Sequence, residues 1–238
     1  MKYEKIVKGK FIERPNRFVA VVEVDGERVK AHVKNTGRCR ELLVEGAAVY
    51  LEDFEGRMGT RKMRYSLIGV EKRTPAGMLM VNMDSQAPNK AVGEALADDS
   101  IMLEGMGRLT LINPEKTFGK SRFDFYVEDE AGKGAYIEVK GVTLEDEGIV
   151  RFPDAPTERG VKHINELISA AVEGYKAYVI FVVQMSGMKE FRPNDETHPQ
   201  FGQALRNADA AGVKVLAYEC IIDEDSMNIC RNIKVNLE

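Results

Sequence analysis

At 238 residues, with 44% hydrophobic and 8% aromatic residues, the chain has material for one large domain or two small ones. Its formal net charge of −4 argues against a surface that binds polyanions everywhere. The first ten residues are charged throughout, unlike a secretory leader, and no apolar run approaches the ~20 residues that span a bilayer, so a soluble cytoplasmic protein is expected.

Residues 18–24 and 29–33 are rich in β-branched residues and are joined through the turn pair Asp25-Gly26, the pattern of a hairpin. Further strand patterns cover 44–51, 63–70 and 78–83. Short strands at this spacing suit a small antiparallel barrel of the OB type. Residues 1–82 carry 17 Lys or Arg against 11 Asp or Glu, a balance of +6, while the remainder balances at −10. Arg57, Arg61, Lys62, Arg64, Lys72 and Arg73 gather round one hairpin, and His32, Lys34, Arg38 and Arg40 form a second group. A barrel with a basic face is a common platform for single-stranded nucleic acid, with Tyr50, Phe54 and Tyr65 available for stacking. The same residues also fit ordinary solvated surface and ordinary core.

The pattern changes near residue 84. Residues 90–98 read as a helix with Ala91, Ala95 and Leu96 on its apolar face, and 109–112 as a strand. Two β-rich runs, 123–127 and 136–139, then flank a polar, Gly-rich connection. Strand side chains alternate, so Asp124 and Tyr126 share one face of the first run, and Glu138 and Lys140 share one face of the second. Pairing the runs brings Asp124 close to Glu138 and Lys140. Two carboxylates at such a site suit Mg²⁺ or Mn²⁺, with the carbonyl of Val139, between the paired side chains, as a third ligand. Lys140 is placed to hold or activate a water that attacks a phosphoryl group. The three side chains taken alone also fit a surface salt bridge on a hairpin, of which many exist.

Prolines argue against regular structure over 143–158. Residues 160–175 form the clearest helix, with Ile164, Leu167, Ile168, Ala171 and Val172 as its stripe. Arg159, Lys162 and His163 put donors around its first turn, where the helix terminus also favours a phosphate. His163 suits a positioning role better than Mg²⁺ ligation, because that ion prefers oxygen. Residues 177–183 read as a buried strand, 201–211 as a helix and 213–218 as a strand, which implies a parallel pair joined by a crossover. The second unit is thus a mixed α/β sheet with helices on both faces. No GxGxxG, GxxxxGK[ST] or GxSxG occurs, which disfavours dinucleotide, P-loop and serine-hydrolase chemistry. Neither CxxC nor HExxH is present, and Cys39, Cys220 and Cys230 are odd in number and widely spaced, so structural zinc and a disulfide framework are not expected.

The spaced Asp124 and Glu138-Val139-Lys140, set in this order of elements, resemble the signature of the PD-(D/E)xK nuclease superfamily. A first-helix glutamate is frequent there, and Glu94 matches it; Glu115 is a further acidic candidate. The whole chain resembles the sugar fermentation stimulation protein A family. The stretches that carry the likeness are 32–38 (HVKNTGR), Pro88-Asn89, 94–96 (EAL), 121–125 (SRFDF), 138–140 (EVK), 152–157 (FPDAPT) and 159–163 (RGVKH). The resemblance implies an OB-like barrel over 1–83 and a restriction-endonuclease-like domain over 84–238. It also implies DNA as partner, weakly selective for sequence, and a tie to the regulation of sugar metabolism. Asp124 and Glu138 would hold Mg²⁺ or Mn²⁺, assisted by Val139, Glu94 and Glu115. Phosphates would be met by Lys34, Arg38, Arg61, Lys62, Arg64, Arg122, Arg159, Lys162 and His163. The alternatives are a DNA-binding regulator that uses a nuclease-like scaffold without cleavage, and a regulator that binds a protein partner.

Overall fold

In the computed structural model of the protein, which describes residues 1–35, 37–75 and 77–238, the chain builds two six-stranded sheets and one four-stranded sheet. Thr36, inside the 32–38 stretch, lies outside the described residues. The first sheet holds β1 (Ile6–Asn16), β2 (Val19–Val24), β3 (Glu27–Val33), β4 (Ala48–Asp53), β5 (Tyr65–Thr74) and β6 (Gly77–Asn82) in the order β3-β2-β1-β4-β5-β6. A parallel pairing of β3 with β5, from Ala31↔Tyr65 to Val33↔Leu67, closes it into an OB-like barrel. Asp25 and Gly26 both adopt positive φ, as a two-residue hairpin turn requires. Val22, Val33, Leu51, Leu67 and Val70 fill the interior. β1 is absent from the sequence pattern because Phe11 is its one buried residue, so no alternation betrays it.

The second unit follows as α1 (Ala87–Ala97), β7 (Leu109–Phe118), β8 (Ser121–Asp129), β9 (Gly134–Val142), β10 (Leu144–Asp146), β11 (Ile149–Phe152), α2 (Glu158–Val172), β12 (Lys176–Val183), β13 (Glu190–Pro193), α3 (Pro199–Ala210), β14 (Lys214–Ile222), β15 (Met227–Asn232) and β16 (Lys234–Val235). Its main sheet runs β15-β14-β12-β9-β8-β7, with β12 parallel to both β9 and β14. The continuous apolar run of β12 is explained by burial on both faces. Tyr178, Ile180 and Val182 share a core with α1, and Val179, Phe181 and Val183 share one with α2 and α3.

Residues 143–158 are more regular than their prolines suggest. A turn at Glu147 and Gly148, both at positive φ, joins β10 and β11 into a hairpin, and the prolines begin only after it. The stripe of α2 is also rotated from the expected one: Gly160, His163, Ile164, Leu167 and Ala170 are buried, while Val172 is exposed.

The amino-terminal residues pack on the second unit. Met227 donates its N–H to the Met1 carbonyl at 3.0 Å, and Tyr3 donates to the Asp225 carbonyl at 2.7 Å. Buried and half-buried polar contacts tie the barrel to the second unit. Lys34 Nζ pairs with Asp84 Oδ2 at 2.5 Å, Lys72 Nζ with Glu145 Oε2 at 2.5 Å, and Gln184 Nε2 donates to the Asn82 and Asp84 carbonyls. No helix among the described residues is long and apolar enough to cross a membrane.

Candidate active site

The β8–β9 ladder pairs regularly from Glu128↔Gly134 to Phe125↔Ile137 and then stops. At the next position the Asp124 side chain enters the gap between the strands, and its Oδ2 accepts the backbone N–H of Val139 at 2.7 Å. Its Oδ1 accepts from Asn89 Nδ2 of α1 at 2.7 Å. Helix α1 lies close enough for this because Gly93, one turn beyond Asn89, faces the Phe125 ring, where a Cβ would come within 3.3 Å. Asn89 is a partner of Asp124 that strand alternation could not reveal; its position in Pro88-Asn89 was the available signal.

Glu138 is buried, and its two oxygens have different surroundings. Oε1 meets Lys140 Nζ and lies 2.5 Å from His163 Nδ1. Oε2 is buried and has no hydrogen-bond partner among the described residues. Burial alone would raise the Glu138 pKa, but the His163 ring and the Lys140 ammonium outweigh it and hold the carboxyl below the usual glutamate range. Asp124 goes the other way. Burial and then the nearby Glu138 carboxylate push it above the usual aspartate range, against the Val139 N–H, Lys140 and Asn89. Directly after Lys140 the chain has no room for a side chain, since a Cβ at Gly141 would run into Gln184 and Pro88.

Helix α2 brings His163 to this cluster. Thr157 caps it, its hydroxyl accepting from Gly160 N at 3.1 Å. Arg159 Nε donates to His163 Nε2 at 3.4 Å, so Arg159 reaches Glu138 through one imidazole. Lys162 Nζ crosses to the Lys120 carbonyl in the β7–β8 turn at 3.0 Å.

Not every residue expected at the site reaches it. Glu94 pairs with the amino-terminal ammonium at 2.6 Å, and Glu115 pairs with Arg122 at 3.5 Å; both are well exposed. Among the described residues, no cluster of three His, Cys, Asp or Glu forms a ready-made metal site. In the barrel, Asp53 holds Arg64 through Nε at 2.6 Å and Nη2 at 2.8 Å, while Lys34 is taken by Asp84. Arg61 lies 3.6 Å over the Phe54 ring and donates to Ser66 Oγ, so one face of that ring is already covered. Tyr50 is buried core, its hydroxyl bonded to Glu71 at 2.6 Å, and is not a stacking surface. Lys62, Arg38 and Arg40 are exposed and have no ion-pair partner among the described residues.

Two family models match this chain. The "SfsA N-terminal OB domain" covers residues 12–81 and the "Sugar fermentation stimulation protein RE domain" covers residues 86–226. The chain belongs to the sugar fermentation stimulation protein family. A homologue from Clostridium beijerinckii is 54% identical, covering 96% of each chain, and one from Clostridium acetobutylicum is 48% identical over the full length of both. The solved structure of Pyrococcus furiosus SfsA in complex with Ca²⁺ superposes with a TM-score of 0.85 at 26% identity, covering 99% of this chain and 98% of that one. Family membership agrees with the barrel and the restriction-endonuclease-like sheet described above.

Proposed function

We propose that the chain is a weakly sequence-selective DNA-binding protein whose second unit hydrolyses phosphodiesters with Mg²⁺ or Mn²⁺. The observation that carries this reading is the pair of Glu138 oxygens: Oε1 is held by Lys140 and His163, while Oε2 is buried without a partner among the described residues. A buried carboxylate oxygen left unpaired is costly unless something cationic meets it. Asp124 supplies the second hard oxygen. The Val139 N–H already points into the gap, and N–H and C=O of one strand residue face the same neighbour, so its carbonyl is the third candidate. The donor set is all oxygen and fits Mg²⁺ or Mn²⁺. The homologue solved with Ca²⁺ supports a divalent site in this fold. Bound there, the cation would polarise a phosphoryl oxygen and acidify water.

The chain's own groups complete the chemistry. Lys140, anchored on the same carboxylate, holds the attacking water and offsets charge on the phosphoryl group. Arg159, Lys162 and Arg122 meet the flanking phosphates, and Lys62 and Arg38 extend the contact onto the barrel. Arg61 is half committed to Phe54 and Ser66, and Lys34 and Arg64 serve the fold more than the ligand. Binding carried by phosphate contacts is weakly selective for sequence.

A second reading has its own support. Glu94 and Glu115 are paired elsewhere, leaving two carboxylates at the site. A protein that binds DNA and regulates sugar metabolism without cleaving it fits that sparse ligand set. Calorimetry with Mn²⁺ separates the two: hydrolysis requires binding that Glu138→Gln abolishes, whereas DNA binding with no Mn²⁺ uptake leaves the regulator alone.

A further inference from the structure

Arg159 Nε donates to His163 Nε2 at 3.4 Å, and His163 Nδ1 lies 2.5 Å from Glu138 Oε1. A guanidinium has only donors, so Nε2 accepts and the ring proton sits on Nδ1, directed at Glu138. The hydrogen bonds therefore run in one direction, from Arg159 through His163 to Glu138. The ends differ in environment. His163 is buried with the Phe123 ring edge-on at 6.2 Å, while Arg159 is exposed and its terminal nitrogens have no partner among the described residues.

We propose that Arg159 and His163 form a relay that couples a DNA phosphate on α2 to the orientation of Glu138, so that DNA binding tightens divalent-metal binding. It rests on the reading above, in which Glu138 is a metal ligand and Arg159 meets DNA. A phosphate gripped by the two terminal nitrogens fixes the guanidinium plane and holds Nε–H against the imidazole. The imidazole N–H then keeps Oε1 engaged, which leaves Oε2 as the oxygen presented to the cation. Both are positioning residues, and the coupling is reciprocal: metal must tighten DNA binding by the same factor.

The test titrates Mn²⁺ calorimetrically into the full chain, alone and with a saturating phosphorothioate duplex whose binding is verified by fluorescence anisotropy. DNA should tighten Mn²⁺ binding about tenfold. Arg159→Gln should bind Mn²⁺ alone as the parent does but lose the tightening. His163→Asn keeps an amide donor near the place of Nδ1 and nothing near Nε2, so it should retain metal and lose coupling. His163→Leu should weaken Mn²⁺ by about 10–100-fold. Imidazole ¹⁵N spectra, simplified by only three histidines in the chain, should report the Nδ1–H form in the parent. Full tightening in DNA-bound Arg159→Gln, no tightening in the parent, or undiminished Mn²⁺ binding by His163→Leu overturns the relay alone. A parent that takes up no Mn²⁺ overturns the relay and the metal reading together.

Discussion

The Val139 N–H donates to Asp124 Oδ2 at 2.7 Å where the β8–β9 ladder has just ended, so a side chain takes the place of a strand partner. That exchange puts Asp124 between the strands and within reach of α1. Asn89 completes its hold on Oδ1, and removing it frees the carboxylate to rotate. Asn89→Ala should weaken Mn²⁺ by about 10–100-fold, as loss of a supporting hydrogen bond does at other metal sites. Its thermal stability should change by less than about 1.5 kcal/mol, because Asn89 is exposed and makes one such bond. Unaltered Mn²⁺ affinity would remove Asn89 from the site.

Asp53 illustrates how the barrel spends its charge. Its buried carboxylate takes Arg64, the Glu55 N–H at 2.9 Å and Lys5 at 2.8 Å. The Arg64 contact, reinforced by Lys5, holds it well below the usual carboxylate range despite burial. A depressed folded pKa means the stabilisation is complete above the unfolded value of about 4 and is lost as pH falls towards the folded one. Asp53→Asn should cost about 1–3 kcal/mol at pH 7, between exposed and fully buried pairs. Denaturant melts at descending pH should show the gap closing below about pH 4; a gap that stays constant would refute the assignment.

On the proposed DNA-binding reading, the same pair separates Arg64, held by the fold, from Lys62, free to meet a phosphate. Lys62→Ala should reduce the slope of log affinity against log salt by about 0.9, one phosphate contact on duplex DNA. Arg64→Ala should mainly lower the melting temperature, since its guanidinium is committed to Asp53. Equal losses of salt slope in both variants would contradict the division.

The juxtaposition of Asp124, Glu138 and Lys140 was legible because alternation along two paired strands brings them together. The parallel pairing of β12 with β14 followed from element order and the uninterrupted apolar run of β12. Asn89 was not legible as a ligand to Asp124, because its role depends on how closely α1 approaches Phe125. His163 offered a signal that the expected stripe of α2 passed over: it lies three residues from Gly160 and four from Leu167, on the buried face. A polar residue on that face needs a partner, and Glu138 is the one it finds. The ion pairs that absorb Lys34 and Arg64 join residues 50 and 11 positions apart, and charge counting along the chain cannot see them.

The most direct test of phosphodiester hydrolysis is a time course of supercoiled plasmid with Mn²⁺, the parent chain and Lys140→Ala side by side. The parent should convert plasmid to nicked and then linear forms. Lys140→Ala, which keeps both carboxylates and therefore its Mn²⁺, should leave the plasmid supercoiled over the same period. Plasmid left intact by the parent, or cut equally fast by Lys140→Ala, would contradict the account.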